Sequence, residues 1–387
     1  MQSLSRLLFN AATAMLMLSY LIFQSAHVDA KPQTLVVTSQ LLSEPATFNV
    51  TLPPSYHAKK DKRYVVLFDL HPRSHKMLAG MHDWMSHNGD WPWLETIIVT
   101  APDGHESLGK LKAAAIEQQG EQQLLDFFEQ DLLPTIDKAY RTNGFRVFNG
   151  FTGNAGLVIY ALVNRPQLFN AYIASSPVLS KDFAFVLNDL PKQLPKMTLP
   201  RFLLVSTSDS GYEQRQLASF AQLESLLQQH APQALNYKVQ RFDGSYYMTQ
   251  PVLSTAHGIE MIFDPVHQKI TADSEVGKQG AKAVLAHYQH LSENIYGFEV
   301  SAVASLSSLA ETQFQEQPQQ AIETLTLAVN TYPKDPHAHA ALGETYLKME
   351  KRSLAKTSIQ TAMSLTSHPF WLNRWGKWLQ QAEQTSL

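Results

Sequence analysis

Asn149-Gly150-Phe151-Thr152-Gly153-Asn154-Ala155-Gly156-Leu157 joins two segments of opposite character. Before it, Arg146-Val147-Phe148-Asn149 is a short β-prone run. After it, Ala155 to Asn164 is helix-prone and ends at Asn164-Arg165-Pro166, because proline cannot continue a helix. Tyr172-Ile173-Ala174-Ser175-Ser176-Pro177 then reads as a buried strand and its exit turn. Strand, tight turn, helix and strand form a βαβ unit. The turn carries one hydroxyl, that of Thr152, between Gly150 and Gly153.

Working outward, short β-rich runs alternate with helical patterns from Thr34 to about Asp264. Thr47 to Leu52 alternates like a strand and stops at Pro53-Pro54. Tyr64 to Leu70 and Glu95 to Thr100 are continuous apolar runs, as expected of strands buried on both faces of a parallel sheet. Gln122 to Ala139 is amphipathic, with Leu124, Leu125, Phe128, Leu132 and Ile136 at helical spacing. Phe202 to Val205 and Tyr237 to Phe242 complete the strands. This alternation predicts an α/β fold with a mostly parallel sheet covered on both faces.

Beyond Asp264 the pattern is helix after helix. Ala321, Leu325, Ala328 and Pro333 recur as Ala355, Ile359, Ala362 and, less well, Pro369, and Ala321 to Ala355 is an offset of 34 residues. Leu342-Gly343-x-x-Tyr346 falls where a tetratricopeptide repeat has its L-G-x-x-Y. Residues 335–367 resemble such a repeat well. Residues 301–334, which lack the L-G pair, resemble it less, and an ordinary helical hairpin is the alternative. Two repeats bury little core by themselves, so this segment is expected to dock on the sheet domain, with Trp371, Trp375 and Trp378 in a terminal capping helix. The expected organisation is a leader over 1–30, the sheet domain over 31–265, a helical linker over 266–300 and an all-α tetratricopeptide-like domain over 301–387.

The chain has 387 residues, 44% hydrophobic and 17% charged, and a formal net charge of −3. This composition suits a globular protein, and no basic field recommends nucleic acid as a partner. Without cysteine there are no disulfides, thiol catalysis or cysteine-ligated zinc. Arg6, the apolar run Leu7 to Phe23, and the small residues of Val28-Asp29-Ala30 before Lys31 have the layout of a secretory signal peptide; an uncleaved anchor is the alternative. The expected location is periplasmic or secreted, with no membrane association after cleavage.

Several segments resemble, in the right order, the esterase family of α/β-hydrolases that includes esterase D-type, siderophore-ester and carbohydrate-ester hydrolases. Val50-Thr51-Leu52-Pro53-Pro54-Ser55-Tyr56 is similar to its opening V-x-L-P-x-x-Y. Lys62-Arg63-Tyr64-Val65-Val66-Leu67-Phe68 is similar to its K-x-Y-P-V-L-Y strand. Leu125 to Pro134 and then Tyr140-Arg141-Thr142 resemble its L-x-F-I-x-x-E-L-I-P helix and the turn after it. Ala161 to Phe169 resembles the helix that follows the nucleophile.

The resemblance implies an α/β-hydrolase fold and a Ser–acid–His triad in that chain order, in which serine attacks an ester carbonyl, histidine takes its proton and the acid orients the histidine. The serine of G-x-S-x-G aligns with Thr152, and the second glycine has become Asn154. The acid is expected at Asp209, with Glu213 in reserve; a loop or helix-cap role is the alternative for both. The histidine of G-x-x-H-x-S aligns with Tyr247 in Phe242-Asp243-Gly244-Ser245-Tyr246-Tyr247-Met248-Thr249. Tyrosine titrates near 10 and is a poor base at neutral pH; His257, ten residues on, is the alternative base. Gly153 is expected to give one oxyanion N–H. The second donor belongs to the Asp69-Leu70-His71-Pro72 loop, where the family has D-G.

With nucleophile and base both replaced, the expectation is a degenerate esterase that binds a small ester or sugar-like ligand, or a protein partner through its helical repeats. An active hydrolase using Thr152 and a non-catalytic adaptor are the alternatives. No cofactor is expected. His71, His75, His82 and His87 crowd one stretch but lack metal-ligand spacing. Trp84, Trp91 and Trp93 are expected either to line a cleft above the sheet or to be core.

Overall fold

A computed structural model describes residues 33–86 and 91–384; the segment read as an export signal and His87 lie outside the described residues. Eight strands form one sheet in the order β1-β2-β4-β3-β5-β6-β7-β8. They are β1 (Gln33–Val37), β2 (Ala46–Thr51), β3 (Tyr64–Asp69), β4 (Thr96–Thr100), β5 (Thr142–Phe151), β6 (Ala171–Ser175), β7 (Arg201–Thr207) and β8 (Leu235–Arg241). From β4 to β8 every pairing is parallel, while β1 and β2 add antiparallel at one edge. This is the α/β-hydrolase fold with a C-terminal run of helices.

The sheet is buried on both faces because its central strands are apolar at successive positions. Val66, Phe68, Val99, Phe148, Tyr172, Leu203 and Val205 point into one core. There they meet α2 (Glu106–Glu117), α4 (Gly153–Asn164), α5 (Val186–Gln193) and α6 (Leu217–His230). They also meet α3, which runs over Gln123–Phe127, a π turn Phe128–Leu132 and Leu133–Ala139. The alternate residues Val65, Leu67, Ile98, Val147, Ile173, Phe202 and Leu204 point into a second core with α1 (Ser74–Ser86) and α7 (Gln250–His267).

The C-terminal helices extend this second core. In α8 (Ala281–His290) and the π turn after it (Leu291–Tyr296), Tyr288 and Tyr296 are buried. Tyr296 packs against Phe145, Phe202 and Phe263 and donates its hydroxyl to the Ile262 carbonyl at 2.6 Å. Residues 266–300 therefore join the helical segment to the underside of the sheet. The antiparallel pairs α9 (Val303–Phe314) with α10 (Pro318–Thr331) and α11 (Pro336–Lys348) with α12 (Arg352–Ser364) follow, closed by α13 (Pro369–Glu383). Gly343 shows why the L-G pair matters: a Cβ there would stand 2.7 Å from Ile359 Cγ1, so the two helices of this pair approach too closely for any side chain.

Candidate active site

β5 feeds α4 through a turn at Thr152, whose φ of 57° and ψ of −119° are strained for a β-branched residue. The surroundings hold it there. Its N–H donates to the Ser175 carbonyl at 3.0 Å, and its carbonyl accepts from the N–H groups of Gly156 and Val178, each at 3.1 Å. A Cβ at Gly150 would lie 2.7 Å from the Asn154 carbonyl oxygen, so the turn needs glycine before the hydroxyl residue. A second close approach falls at Gly156, and Asn154 between them is half-buried. The Phe183 ring lies on the first turn of α4, 2.6 Å from where a Gly156 Cβ would stand. It is carried by a loop in which Lys181, Asp182, Ala184 and Phe185 are all left-handed.

Buried polar bonds fix the strand ends beneath this turn. Asn149 donates to Asp69 Oδ2 at 2.5 Å and accepts from Thr255 Oγ1 at 3.2 Å. Ser254 Oγ donates to Ser175 Oγ at 2.9 Å and is 2.5 Å from Ser206 Oγ. α7 is thereby pinned across β5, β6 and β7.

Tyr247, the residue aligned with the family histidine, opens a short 3₁₀ turn ahead of α7 and lies beside Thr152. Its phenol is pushed above its ordinary value, first by burial and then by the Glu213 charge, while the neighbouring Thr152 side chain pulls the other way. Tyr247 is therefore a neutral phenol at physiological pH and cannot take a proton from Thr152 as imidazole would.

The two acid candidates separate. Asp209 lies at the surface, where Oδ1 accepts the Gly244 N–H at 2.8 Å, tying the β7 exit to the loop that carries Tyr247. Glu213 is buried beneath Tyr247's neighbourhood, and its carboxylate is fully occupied. Oε1 accepts from Ser176 Oγ, from Thr207 Oγ1 at 3.3 Å and from the Ser208 N–H at 3.1 Å. Oε2 accepts from Ser208 Oγ and from Ser210 Oγ at 2.7 Å. The residue held in reserve is thus the buried acid of the site, and Asp209 ties loops together. His257 sits on the outer side of α7, 3.3 Å from Glu260 and against the Phe242 ring rather than on Thr152.

Gly153 is the first residue of α4, where a helix leaves its N–H groups without intrahelical partners. The opposing loop is different. The His71 N–H donates to Asp69 Oδ1 at 2.6 Å, and Pro72 has no N–H, so neither amide is available to an oxyanion.

Asp69 carries a further consequence. Burial raises its carboxyl to about 7, against the pull of the His71 N–H, Asn149, Ser74 and Lys112. Burial also lowers His82 to about 4, opposed by Glu95 and Leu94, and its neutral Nε2 accepts the Thr96 N–H at 2.9 Å. Between their ordinary and folded values the two act oppositely. The folded state holds the Asp69 proton that the unfolded chain has lost, so stability falls as pH rises towards 7. The unfolded chain holds a His82 proton that the folded state refuses, so stability falls as pH drops from 6.5 to 4. Each effect is on the order of 3–4 kcal/mol, and over about pH 4–6.5 they offset. Asp69→Asn is expected to leave His82 unopposed. Urea unfolding should then show the variant losing about 3 kcal/mol relative to wild type between pH 6.5 and 4; parallel pH profiles would contradict this.

The other histidines of the stretch are bonded within the fold: His75 lies 3.0 Å from both Thr51 Oγ1 and Thr100 Oγ1, and His71 Nδ1 accepts the Arg73 N–H at 3.2 Å. No group of three potential ligands gathers among the described residues. The tryptophans do not line the cleft. Trp93 is wholly buried against His82, Trp91 packs on His267, and Trp84 is exposed near the end of α1. All three lie at the edge where β4 begins, whereas the site lies where the strands end. The aromatic groups at the site are Phe151 and Tyr212, whose ring centroids lie 4.9 and 5.1 Å from that of Tyr247, with Tyr246 and Met248 exposed alongside. Tyr212 and Tyr246 adjoin the acid and base positions in sequence, a signal that was available in the chain.

The sequence profile of a family described as "Putative esterase" matches residues 39–241, over half of the 387-residue chain. No curated protein matches the chain. Among solved structures, an IroE-like serine hydrolase from Shewanella oneidensis is similar at 20% identity and a TM-score of 0.58, over 78% of this chain and 100% of that one. An uncharacterised protein from Capnocytophaga ochracea is similar at 15% identity and a TM-score of 0.65, over 92% of this chain and 100% of that one. The siderophore hydrolase EstB from Aspergillus nidulans is similar at 15% identity and a TM-score of 0.50, over 62% of this chain and 96% of that one. At these identities the likeness is one of fold; the Capnocytophaga match extends well past the sheet into the helical segment.

Proposed function

Because the chain belongs to the "Putative esterase" family of α/β-hydrolases, we propose that it is an esterase scaffold whose hydrolytic chemistry has been lost and whose cleft binds a ligand without turning it over. The observation that carries this reading is the neutral Tyr247 phenol beside Thr152, where the reaction needs a base. Two further observations agree with it. The Glu213 carboxylate is filled by hydroxyls and the Ser208 N–H and bonds no imidazole among the described residues, and the His71 amide is turned inward onto Asp69.

The ligand class is an aryl or sugar-like ester or its acid. Tyr212 and Tyr246, 80% and 85% exposed, offer ring faces at the mouth of the site for stacking. The helical hairpins supply a second surface for a protein partner. The leader-like segment over 1–30 supports export to the periplasm or beyond, which the N-terminal sequence of the mature protein would test.

The function is tested by hydrolysis of p-nitrophenyl acetate and butyrate by the chain beginning at Lys31, beside Thr152→Ala. The expected result is a rate indistinguishable between the two. Turnover by the parent that disappears in Thr152→Ala would establish a threonine nucleophile and replace this reading with that of an active hydrolase.

A further inference from the structure

Gln250 is the first residue of α7 and is wholly buried. Alone among the buried side chains of the described residues, its amide has no hydrogen-bond partner at either Nε2 or Oε1. A buried amide left unbonded is costly, and folded proteins bond nearly all of theirs. The polar groups around it are already engaged. Ser254 is bonded to Ser175 and Ser206, and Glu213 holds Ser176, Thr207, Ser208 and Ser210. The turn that carries Gln250 fixes where its amide lies. The Gln250 N–H donates to the Tyr247 carbonyl in the 3₁₀ turn, and side chains three apart in such a turn lie over one another. Ser254 stands one helical turn further along the same face. Tyr247 is beside Thr152, and Ser254 bonds Ser175, whose carbonyl holds the Thr152 N–H. Gln250 therefore lies between them, on the floor of the cleft beside Thr152, where α4 begins.

We propose that the Gln250 carboxamide is the group that reads the ligand of this cleft, and that the ligand it fits best is an aryl carboxamide. Nε2 donates and Oε1 accepts, so both are satisfied by a head group that carries a carbonyl and an N–H on one carbon. A primary amide meets this with two parallel bonds. An ester carbonyl accepts one bond and returns none. A carboxylate also returns none, and it would meet the charge of Glu213, which is close enough to raise the Tyr247 phenol. The aryl part follows from what covers the amide. Tyr247 lies over Gln250, and its ring packs between those of Phe151 and Tyr212, of which Tyr212 is 80% exposed. An entering aryl ring turns Tyr247 aside and takes up contacts of the same kind. The inference rests on the reading of the cleft as a binding site and names the head group that binds there most tightly.

The test titrates the mature chain with benzamide, methyl benzoate and sodium benzoate, followed by ligand-observed proton NMR. Benzamide is expected to bind about tenfold more tightly than either of the others. Gln250→Met keeps the length of the side chain and removes its amide. It should weaken benzamide about tenfold and abolish the preference for the amide over the ester. The urea midpoint of the free variant should stay level or rise, because an unbonded buried amide has been removed. A purely structural Gln250, bonded by internal water, would behave in the opposite way: Gln250→Met would lower the midpoint and leave the preference intact. That outcome overturns the inference. So does equal affinity for the three probes, or no binding of benzamide. The two proposals fail separately. Threonine-dependent turnover in the esterase assay would remove the claim of lost chemistry and leave the amide preference standing, whereas equal probes beside an inert esterase assay would remove the amide preference alone.

Discussion

Thr152→Ser combined with Tyr247→His is expected to raise p-nitrophenyl acetate hydrolysis by about 10²–10³-fold over the parent chain, with neither change sufficient alone. The scaffold for the reaction is in place. The turn keeps its strained φ of 57° at position 152, Gly153 still begins α4, and position 247 still faces 152. Serine removes the methyl that restricts χ1. Histidine brings a group that titrates near 6.5 where phenol titrates near or above 10. General-base catalysis of this kind is worth about 10²–10⁴-fold, and the gain should fall in the lower part of that range for two reasons. Glu213 must release a serine hydroxyl before it can orient a new imidazole, and the His71 amide remains committed to Asp69. A single Tyr247→His variant as active as the double variant would show that threonine is a competent nucleophile and that only the base had been lost.

The second large effect concerns stability. Glu213→Ala is expected to destabilise the protein by about 3–5 kcal/mol, read from urea unfolding. The carboxylate joins the β6 exit at Ser176 to the β7 exit at Thr207, Ser208 and Ser210. Its removal leaves several hydroxyls and the Ser208 N–H facing a void, and each orphaned donor costs free energy that bulk water would otherwise supply. Asp209→Ala removes a single bond to Gly244 at the surface and should cost about 1 kcal/mol. If the two variants proved equally stable, Glu213 would not be the structural tie that its bonds describe.

Much of this was legible in the chain. The apolar runs of β3 and β4 announce strands buried on both faces, and the passage from Arg146 to Pro177 contains the turn, its helix and the next strand. The tyrosine in the histidine position follows from counting beyond Phe242-Asp243-Gly244. β1 was not legible, because Gln33 to Val37 pairs at the sheet edge with most of its residues accessible and lacks a continuous buried run. The sequence reading puts the acid at Asp209 and holds Glu213 in reserve, whereas the buried carboxylate is Glu213. Asp209 and Glu213 lie four residues apart in one loop, and only the folded path of that loop sends one outward and the other under the strand ends. Of the three tryptophans expected in the cleft wall or the core, Trp93 is core, while Trp84 and Trp91 are exposed and away from the cleft, because composition says nothing of direction. In a parallel sheet the ligand site lies at the carboxyl ends of the strands, and Trp91 and Trp93 precede the start of β4 at the opposite edge. The inward bond of the His71 amide has no sequence signal beyond the missing glycine at Leu70.

The most direct test of the claim that the fold has kept its elbow and lost its chemistry is intact-mass measurement after exposure to a fluorophosphonate, which labels an activated hydroxyl nucleophile. The parent chain is expected to show no adduct, while the Thr152→Ser, Tyr247→His variant gains one, mapped to position 152. A stoichiometric adduct on Thr152 of the parent would contradict the account, since it would mean that a base reaches this hydroxyl in the native site.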